Sequence, residues 1–251
     1  MSLSVIKRHE KIMELLLQDG EVKSAGLSQL MGVTGKTIRE DLEKLEEQGL
    51  LSRVHGGAVP KNDGHVGSFP GRAAMTNCLQ QKGELAAKAL ERIEPRDIIA
   101  LDGGSTTLEM ARRLPNAPLT VITNDLFIIS ELVHKDQIHL VVPGGYQKRN
   151  LLVNGESLSF LKKLNVQKVF ISTTGLHLDY GLTIYTSDLA EQKQALIECA
   201  KYRYCVADHS KFDKYALMTF AQLSEMDAII TDSGLDAAMR NRYQGAGVPI
   251  Q

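Results

Sequence analysis

The chain has no apolar run approaching the roughly 20 residues that a membrane span requires, so no membrane partner is expected. Its N-terminus lacks the basic segment, apolar core and small-residue cleavage site of a secreted precursor, which points to the cytoplasm. Cysteine is scarce: Cys78, Cys199 and Cys205 form an odd set with no Cys-x-x-Cys pair. Free thiols in a reducing compartment are the expectation, with a redox role for Cys199 and Cys205 a weak alternative. The seven histidines are scattered without ligand spacing, so neither a metal nor another cofactor is expected. No internal repeat or low-complexity tract occurs. Charge of one sign is also missing, since the net charge is −1 and residues 1–60 carry eight Lys/Arg against nine Asp/Glu. A non-specific DNA packager would carry a large positive excess and is argued against.

What is present begins between Val33 and Val59. Val33-Thr34-Gly35-Lys36-Thr37-Ile38-Arg39-Glu40-Asp41-Leu42 reads as a short helix, and Leu50-Leu51-Ser52-Arg53-Val54-His55-Gly56-Gly57-Ala58-Val59 as a Gly-turned hairpin. At 3.6 residues per turn Ile38, Leu42 and Leu45 share one side, while Lys36, Arg39, Glu40 and Glu43 project from the other. Upstream, Ile12, Leu15 and Leu16 give one helical stripe and Leu27, Leu30 and Met31 a shorter one. Gly32 breaks the chain, and the Thr34 hydroxyl is placed to cap the next helix. Two helices, a tight turn and a third helix followed by a hairpin form a winged helix-turn-helix, which reads double-stranded operator DNA through its third helix. Local attraction would come from Lys36, Arg39, Lys44 and Arg53, with Lys7, Arg8 and Lys23 as further candidates. A three-helix bundle that binds protein is the plainer alternative.

Residues 5–59 resemble the DNA-binding domain of the DeoR family of bacterial sugar-metabolism regulators, whose signature runs Val-Ser-x-x-Thr-Ile-Arg-Arg-Asp-Leu before a Gly-Gly-Ala wing. The chain keeps Val33, Thr37, Ile38, Arg39, Asp41, Leu42, Gly56, Gly57 and Ala58. Thr34 replaces the usual Ser, one capping hydroxyl for another. Glu40 replaces the second Arg, exchanging a donor to phosphate or guanine for an anion that can accept from cytosine N4. The resemblance implies that Thr34, Lys36, Thr37, Arg39, Glu40, Arg53 and His55 face DNA.

At 251 residues the chain is too long for a winged helix alone. Residues 1–58 are expected to form the DNA-binding domain and the Gly- and Pro-rich stretch 59–75 a linker. Residues 76–251 are expected to form an α/β domain. There, short apolar strands at 98–101, 119–122, 139–142, 169–172, 204–207 and 228–230 alternate with helices near 79–93, 106–114, 125–134, 156–163, 187–200 and 235–244. Such alternation implies a mainly parallel sheet covered on both faces.

Ligands of these sheets bind beyond the carboxyl ends of the strands. Strand 98–101 runs into Asp102-Gly103-Gly104-Ser105-Thr106-Thr107 and then a helix. Glycines admit an anion to the backbone N–H groups, hydroxyls add donors and the helix N-terminus adds its dipole. The loop is neither a Walker loop nor a full Gly-x-Gly-x-x-Gly, so nucleotide binding is not indicated. Other strands end in Thr123-Asn124, Pro143-Gly144-Gly145, Thr173-Thr174-Gly175 and Asp208-His209-Ser210-Lys211-Phe212. Each ending alone reads equally well as turn chemistry, and Asp102 as a helix cap. Converging on one rim, they offer the hydroxyl, amide, carboxylate and ammonium groups that bind a phosphorylated sugar.

The DeoR resemblance extends over this region, and the family's sensor domain is similar to ribose-5-phosphate isomerase. It implies that Gly104, Ser105, Thr106 and Thr107 hold an effector phosphate, with Asp102, Thr123, Asn124, Gly144, Gly145, Gly175 and Lys211 around the sugar. The family commonly has an acidic residue and a lysine on the helix before its last conserved strand, for which Glu191 and Lys193 are the candidates; both otherwise read as solvated charges. The expected protein is therefore a non-enzymatic transcriptional repressor of a carbohydrate-utilisation operon. It would be released by a sugar phosphate and act as a homo-oligomer, dimer or tetramer, with the signal passing through residues 59–75. The alternative is an active sugar-phosphate isomerase with a DNA-binding appendage.

Overall fold

The computed structural model describes residues 3–60 and 79–251. Cys78 and most of the expected linker lie outside the described residues.

The N-terminal domain runs α1 (Val5–Asp19), β1 (Val22–Lys23), α2 (Ser24–Met31), α3 (Gly35–Glu47), β2 (Leu51–Val54) and β3 (Gly57–Pro60). Each break has a local cause. Gly20 and Gly32 end α1 and α2 in the left-handed region that favours glycine, at φ 77° and 62°. Thr34 caps α3 by accepting from the Thr37 N–H at 3.2 Å, as its position suggests. The Gly-Gly-Ala wing has a different reason at each residue. Gly56 turns the hairpin at φ 81°, a Cβ on Gly57 would meet the Val22 carbonyl oxygen at 1.9 Å, and Ala58 is fully buried. The Gly57 approach lets β1 join β3, giving a three-stranded sheet in the order β1-β3-β2. Ile12, Leu16, Leu27, Met31, Ile38, Leu42 and Leu45 form the core. Leu30, expected in that core, is instead 61% exposed, because the short α2 turns only Leu27 and Met31 inward. β3 runs to Pro60, two residues into the expected linker.

The second domain begins with α4 (Leu79–Leu90), β4 (Ile98–Leu101), α5 (Ser105–Arg113), β5 (Leu119–Ile122), α6 (Leu126–Leu132) and β6 (Ile138–Val141). A small hairpin follows, β7 (Tyr146–Lys148) with β8 (Leu151–Val153), then α7 (Gly155–Leu161) and β9 (Val166–Ser172). The remainder is β10 (Gly175–His177), β11 (Gly181–Ile184), α8 (Ser187–Glu198), β12 (Ala200–Val206), β13 (Met218–Ala221), β14 (Ala228–Ile230) and α9 (Ala237–Gly245). Six strands form one sheet in the order β14-β12-β9-β4-β5-β6. Every neighbouring pair in it is parallel, so all six carboxyl ends share one edge. Side chains alternate between the faces. Ile99, Leu101, Val121 and Phe170 pack under α4, α5 and α6, while Ala100, Val169, Ile171 and Cys205 pack under α7, α8, α9 and a three-stranded sheet of β10, β11 and β13. Among the described residues no helix is long and apolar enough to cross a membrane, and no group of His, Cys, Asp or Glu could hold a metal ion.

Candidate functional site

Two surfaces carry the chemistry. The first is the outer face of α3 with the wing. Arg39, Arg53, Val54 and His55, with Ser24, Ser28 and Gly35, line a groove of about 780 Å³ between helix and hairpin. Lys36 and Glu40 stand beside it, exposed and 3.7 Å apart. Arg53 is held by two carboxylates of α3, Glu43 at 3.6 Å and Glu46 at 3.7 Å, and its backbone N–H donates to Glu46 at 2.7 Å. The wing is thus strapped to the helix through its own arginine. Asp41, on the inner side of α3, accepts from Arg8 at 2.7 and 3.0 Å and lies 3.1 Å from His9 Nε2. Burial pushes the His9 pKa below its ordinary value, although Asp41 opposes the shift. These contacts clamp α3 onto α1. Arg8, a candidate phosphate donor on sequence grounds, is buried in the clamp and unavailable to DNA.

The second surface lies at the carboxyl edge where β4 meets β9. From these two strands the chain winds outward in opposite directions, the switch point at which open α/β sheets bind ligands. Asp102, just past β4, accepts from the Ser172 N–H at 3.0 Å and the Ser172 hydroxyl at 2.7 Å. It also pairs with the Lys193 ammonium, which donates to the Ser172 carbonyl oxygen at 2.8 Å. Lys193 is only 2% exposed. Its neighbour Gln192 accepts from Asn124 Nδ2 at 2.8 Å. Asp125 caps α6, accepting from Phe127 and Ile128, and takes a 2.6 Å bond from Asn150. Burial raises the Asp125 carboxyl to about 6, with the nearby Asp102 charge adding to the shift.

The loop after β4 leaves no room for side chains. A Cβ on Gly104 would lie 2.7 Å from Ser172 Oγ, and one on Gly103 would lie 2.6 Å from Leu151. Gly104 is also the N-cap of α5 and offers no capping side chain, so Asp102 does not cap this helix. The first N–H groups of α5 therefore have no side-chain partner at the cap. Thr174 Oγ1 and Asn150 Oδ1, both at this rim, are buried without a hydrogen-bond partner.

Two family models divide the chain between them. A profile of the DeoR-like helix-turn-helix domain matches residues 8–63, and one of the DeoR C-terminal sensor domain matches residues 77–233. The chain belongs to the DeoR family. It is 33% identical to the HTH-type transcriptional regulator GlpR of Haloferax volcanii over 97% of this chain and 96% of that one. It is 34% identical to IolR of Bacillus subtilis, covering 92% of each, and 32% identical to the L-fucose operon activator of Haemophilus influenzae, covering 91% and 92%. Among solved structures it is similar to the probable sor operon regulator of Shigella flexneri, at TM-score 0.43 and 14% identity over 79% of this chain and 96% of that one. Ribose 5-phosphate isomerase A of Methanocaldococcus jannaschii follows at 0.39 and 18%, over 53% and 54%. The DeoR-family protein is a DNA-binding transcriptional regulator, in keeping with a non-enzymatic role.

Within this DeoR-family chain the residues expected at the effector site separate into groups. Asp102, Gly104, Asn124 and Lys193 come together at the switch point, with Ser105 half-buried at the first turn of α5 and Thr106 buried behind it. Thr107 does not reach the rim. It is fully buried, and its hydroxyl donates to the Gly104 carbonyl oxygen at 3.0 Å. Thr123 is likewise buried, accepting from the Asp125 N–H. Glu191 is exposed to solvent, since the face of α8 that carries Gln192 and Lys193 turns inward. Gly175 is a packing residue: a Cβ there would meet the Lys214 carbonyl oxygen at 2.4 Å. Gly144 and Gly145, at φ 82° and 125°, turn the chain after β6, and Lys211 sits on a short helical turn after β12. Sequence reasoning passed over Asp125, Asn150, Ser172 and Gln192. The only signal was position: Ser172 closes strand 169–172 and Asp125 follows the Thr123-Asn124 ending. Cys205 is fully buried with its thiol pushed up to about 12, and burial raises Cys199 to about 11, so neither has the thiolate character of a redox switch.

Proposed function

We propose that this regulator represses a carbohydrate-utilisation operon and is released when a phosphorylated sugar binds at the carboxyl edge between β4 and β9. The observation that carries the reading is the start of α5, where helix N–H groups without a capping side chain open onto a glycine loop beside a buried ammonium, Lys193. The helix dipole and the uncapped N–H groups favour an anion, and Lys193 would add its charge once drawn from Asp102. Asp102, Asn124 and Gln192 supply acceptors and donors for sugar hydroxyls, and the unpartnered Thr174 and Asn150 oxygens suit a polar occupant. The chain would act as a homo-oligomer, because helix-turn-helix proteins dock two recognition helices about one DNA turn apart. Light scattering of the full chain tests that expectation.

The decisive variant is Ser105→Asp, which sets a carboxylate against the incoming phosphate. Operator titrations with and without a panel of pentose, hexose and ketose phosphates are compared with thermal shifts on the full chain. The variant should bind operator normally and resist release by whichever sugar phosphate releases the wild type, and the unphosphorylated sugar should release neither. Normal release of Ser105→Asp would remove the phosphate from this loop.

A further inference from the structure

Two loops that reach the strand-end site also hold helix α1 of the DNA-binding domain. One is the turn between β7 and β8. Its Arg149 sits in the left-handed region at φ 58° and donates from its guanidinium to the Glu14 carbonyl oxygen of α1. A non-glycine residue persists in that conformation only where its surroundings fix it. The next residue, Asn150, bonds Asp125 Oδ2, an oxygen 3.0 Å from the place a Gly103 Cβ would occupy.

The other loop joins β11 to α8. Its Tyr185, with Ala216 from the segment before β13, packs into the same apolar cluster as Ile12, Met13 and Leu16 of α1. The Ser187 N–H, opening α8, donates to Glu10 Oε1 at 3.3 Å. Asp188 pairs with Lys148 of β7 and so ties the two loops to each other. Less than two turns further along α8 stand Gln192 and Lys193, bonded to Asn124 and Asp102. A cleft of about 110 Å³ remains between α1 and these loops, lined by Glu10, Glu14, Lys148, Arg149, Asp188 and Leu189. On its far side α1 is clamped to the recognition helix by Arg8 and His9 on Asp41.

We propose that this seat couples the strand-end site to the DNA-binding domain directly, so that a change at the Asp102–Lys193 pair is felt at α1 without passing along the chain between the domains. The route is Lys193, the rigid body of α8, the Glu10 and Glu14 contacts, α1, and the Arg8–Asp41 clamp to α3. Coupling of this kind needs a physical element that both sites bias, and among the described residues α8 with the β7–β8 turn touches both. An occupant that drew Lys193 away from Asp102 would shift α8 and loosen α1. The proposal rests on the effector reading of the strand-end site for its physiological meaning, but it is measured without any ligand.

The experiment is hydrogen exchange on the full chain with variants on both sides of the seat. Asp102→Asn should speed exchange of residues 5–19 about fivefold or more, the low end of ordinary coupling. Asp97→Asn is the control, because it breaks the similarly buried 2.6 Å Lys168–Asp97 pair at the opposite end of the sheet. Coupling is reciprocal, so Glu10→Ala and Arg149→Ala should speed exchange of residues 187–198 while leaving 119–141 unchanged. Equal effects of Asp102→Asn and Asp97→Asn on residues 5–19 would overturn the proposal. If Asp102→Asn fails to fold, the two seat variants decide alone, and unaltered exchange at 187–198 overturns it. If the coupling appears but no sugar phosphate binds, the effector reading fails and the seat stands.

Discussion

Replacing Lys193 with Met tests a deeply placed charge pair of the sensor domain. The ammonium is 2% exposed, and its loss leaves the Asp102 carboxylate with the two Ser172 donors and no counter-charge. Breaking a buried pair by removing one partner costs about 3–5 kcal/mol. The methionine itself adds little strain, since the Phe220 ring 5.3 Å from the ammonium offers a sulfur a suitable neighbour. Followed by urea unfolding, with a slope of about 3 kcal/mol per molar, the midpoint should fall by about 1–1.7 M. The double variant Lys193→Met, Asp102→Asn removes both charges and should recover most of the loss, giving an interaction energy of about 2 kcal/mol or more. Lys162→Met is the internal standard: its 3.5 Å pair with Glu198 is 60% exposed on both sides and should cost under about 1 kcal/mol. A Lys193→Met protein no less stable than Lys162→Met, or a double variant worse than both singles together, would refute the account of a buried, mutually dependent pair.

The DNA-binding surface yields further outcomes. Arg39→Ala should weaken specific operator binding by about 1–3 kcal/mol if it reads a base edge, and unchanged footprinting would mean that α3 does not enter the groove as described. Arg53→Ala should weaken all sequences alike, with a salt slope lower by about one, if the wing arginine meets phosphate rather than bases. Glu40→Arg should tighten non-specific binding and steepen the salt slope by about one phosphate contact, and an unaltered slope would turn position 40 away from the DNA backbone. Asp125 has a folded pKa of about 6 against 3.8 for the free group, so its contribution is fully present below about pH 4 and is lost as pH rises through 6. Asn caps as well as Asp, so Asp125→Asn should gain up to about 3 kcal/mol on the wild type between pH 4 and pH 7, and parallel stability curves would contradict the burial argument.

Much of the molecule was legible in the chain because its signals are local. Gly32, Thr34 and the Gly56-Gly57-Ala58 turn act on their own backbone or on immediate neighbours, and the apolar strands need only a run of Val, Ile and Leu to be recognised. Two of those strands begin earlier than expected, at Val166 and Ala200, where polar and charged residues interrupt the apolar run. The short hairpin of β7 and β8 and the sheet of β10, β11 and β13 were not legible, since strands of three or four residues gain their stability from packing rather than from pattern. The polar strand endings were visible as endings, yet nothing in the sequence says which of them touch.

That choice belongs to tertiary structure. Lys193 and Glu191 look alike on paper, two charges on one helix, and only the docking of α8 turns one into the sheet edge and the other to water. Thr107 and Ser105 share a loop, but burial turns the first hydroxyl onto the Gly104 carbonyl and leaves the second half-buried at the helix start. Arg8, thirty-three residues from Asp41, is removed from the DNA-facing set by an ion pair that no local pattern encodes. The sequence by itself determined the helices and strands of the main sheet, the order of the domains and the family, because backbone conformation and hydrophobic periodicity are decided within a few residues. Which polar groups meet across 70 to 90 residues of intervening chain was decided only when the sheet closed around them.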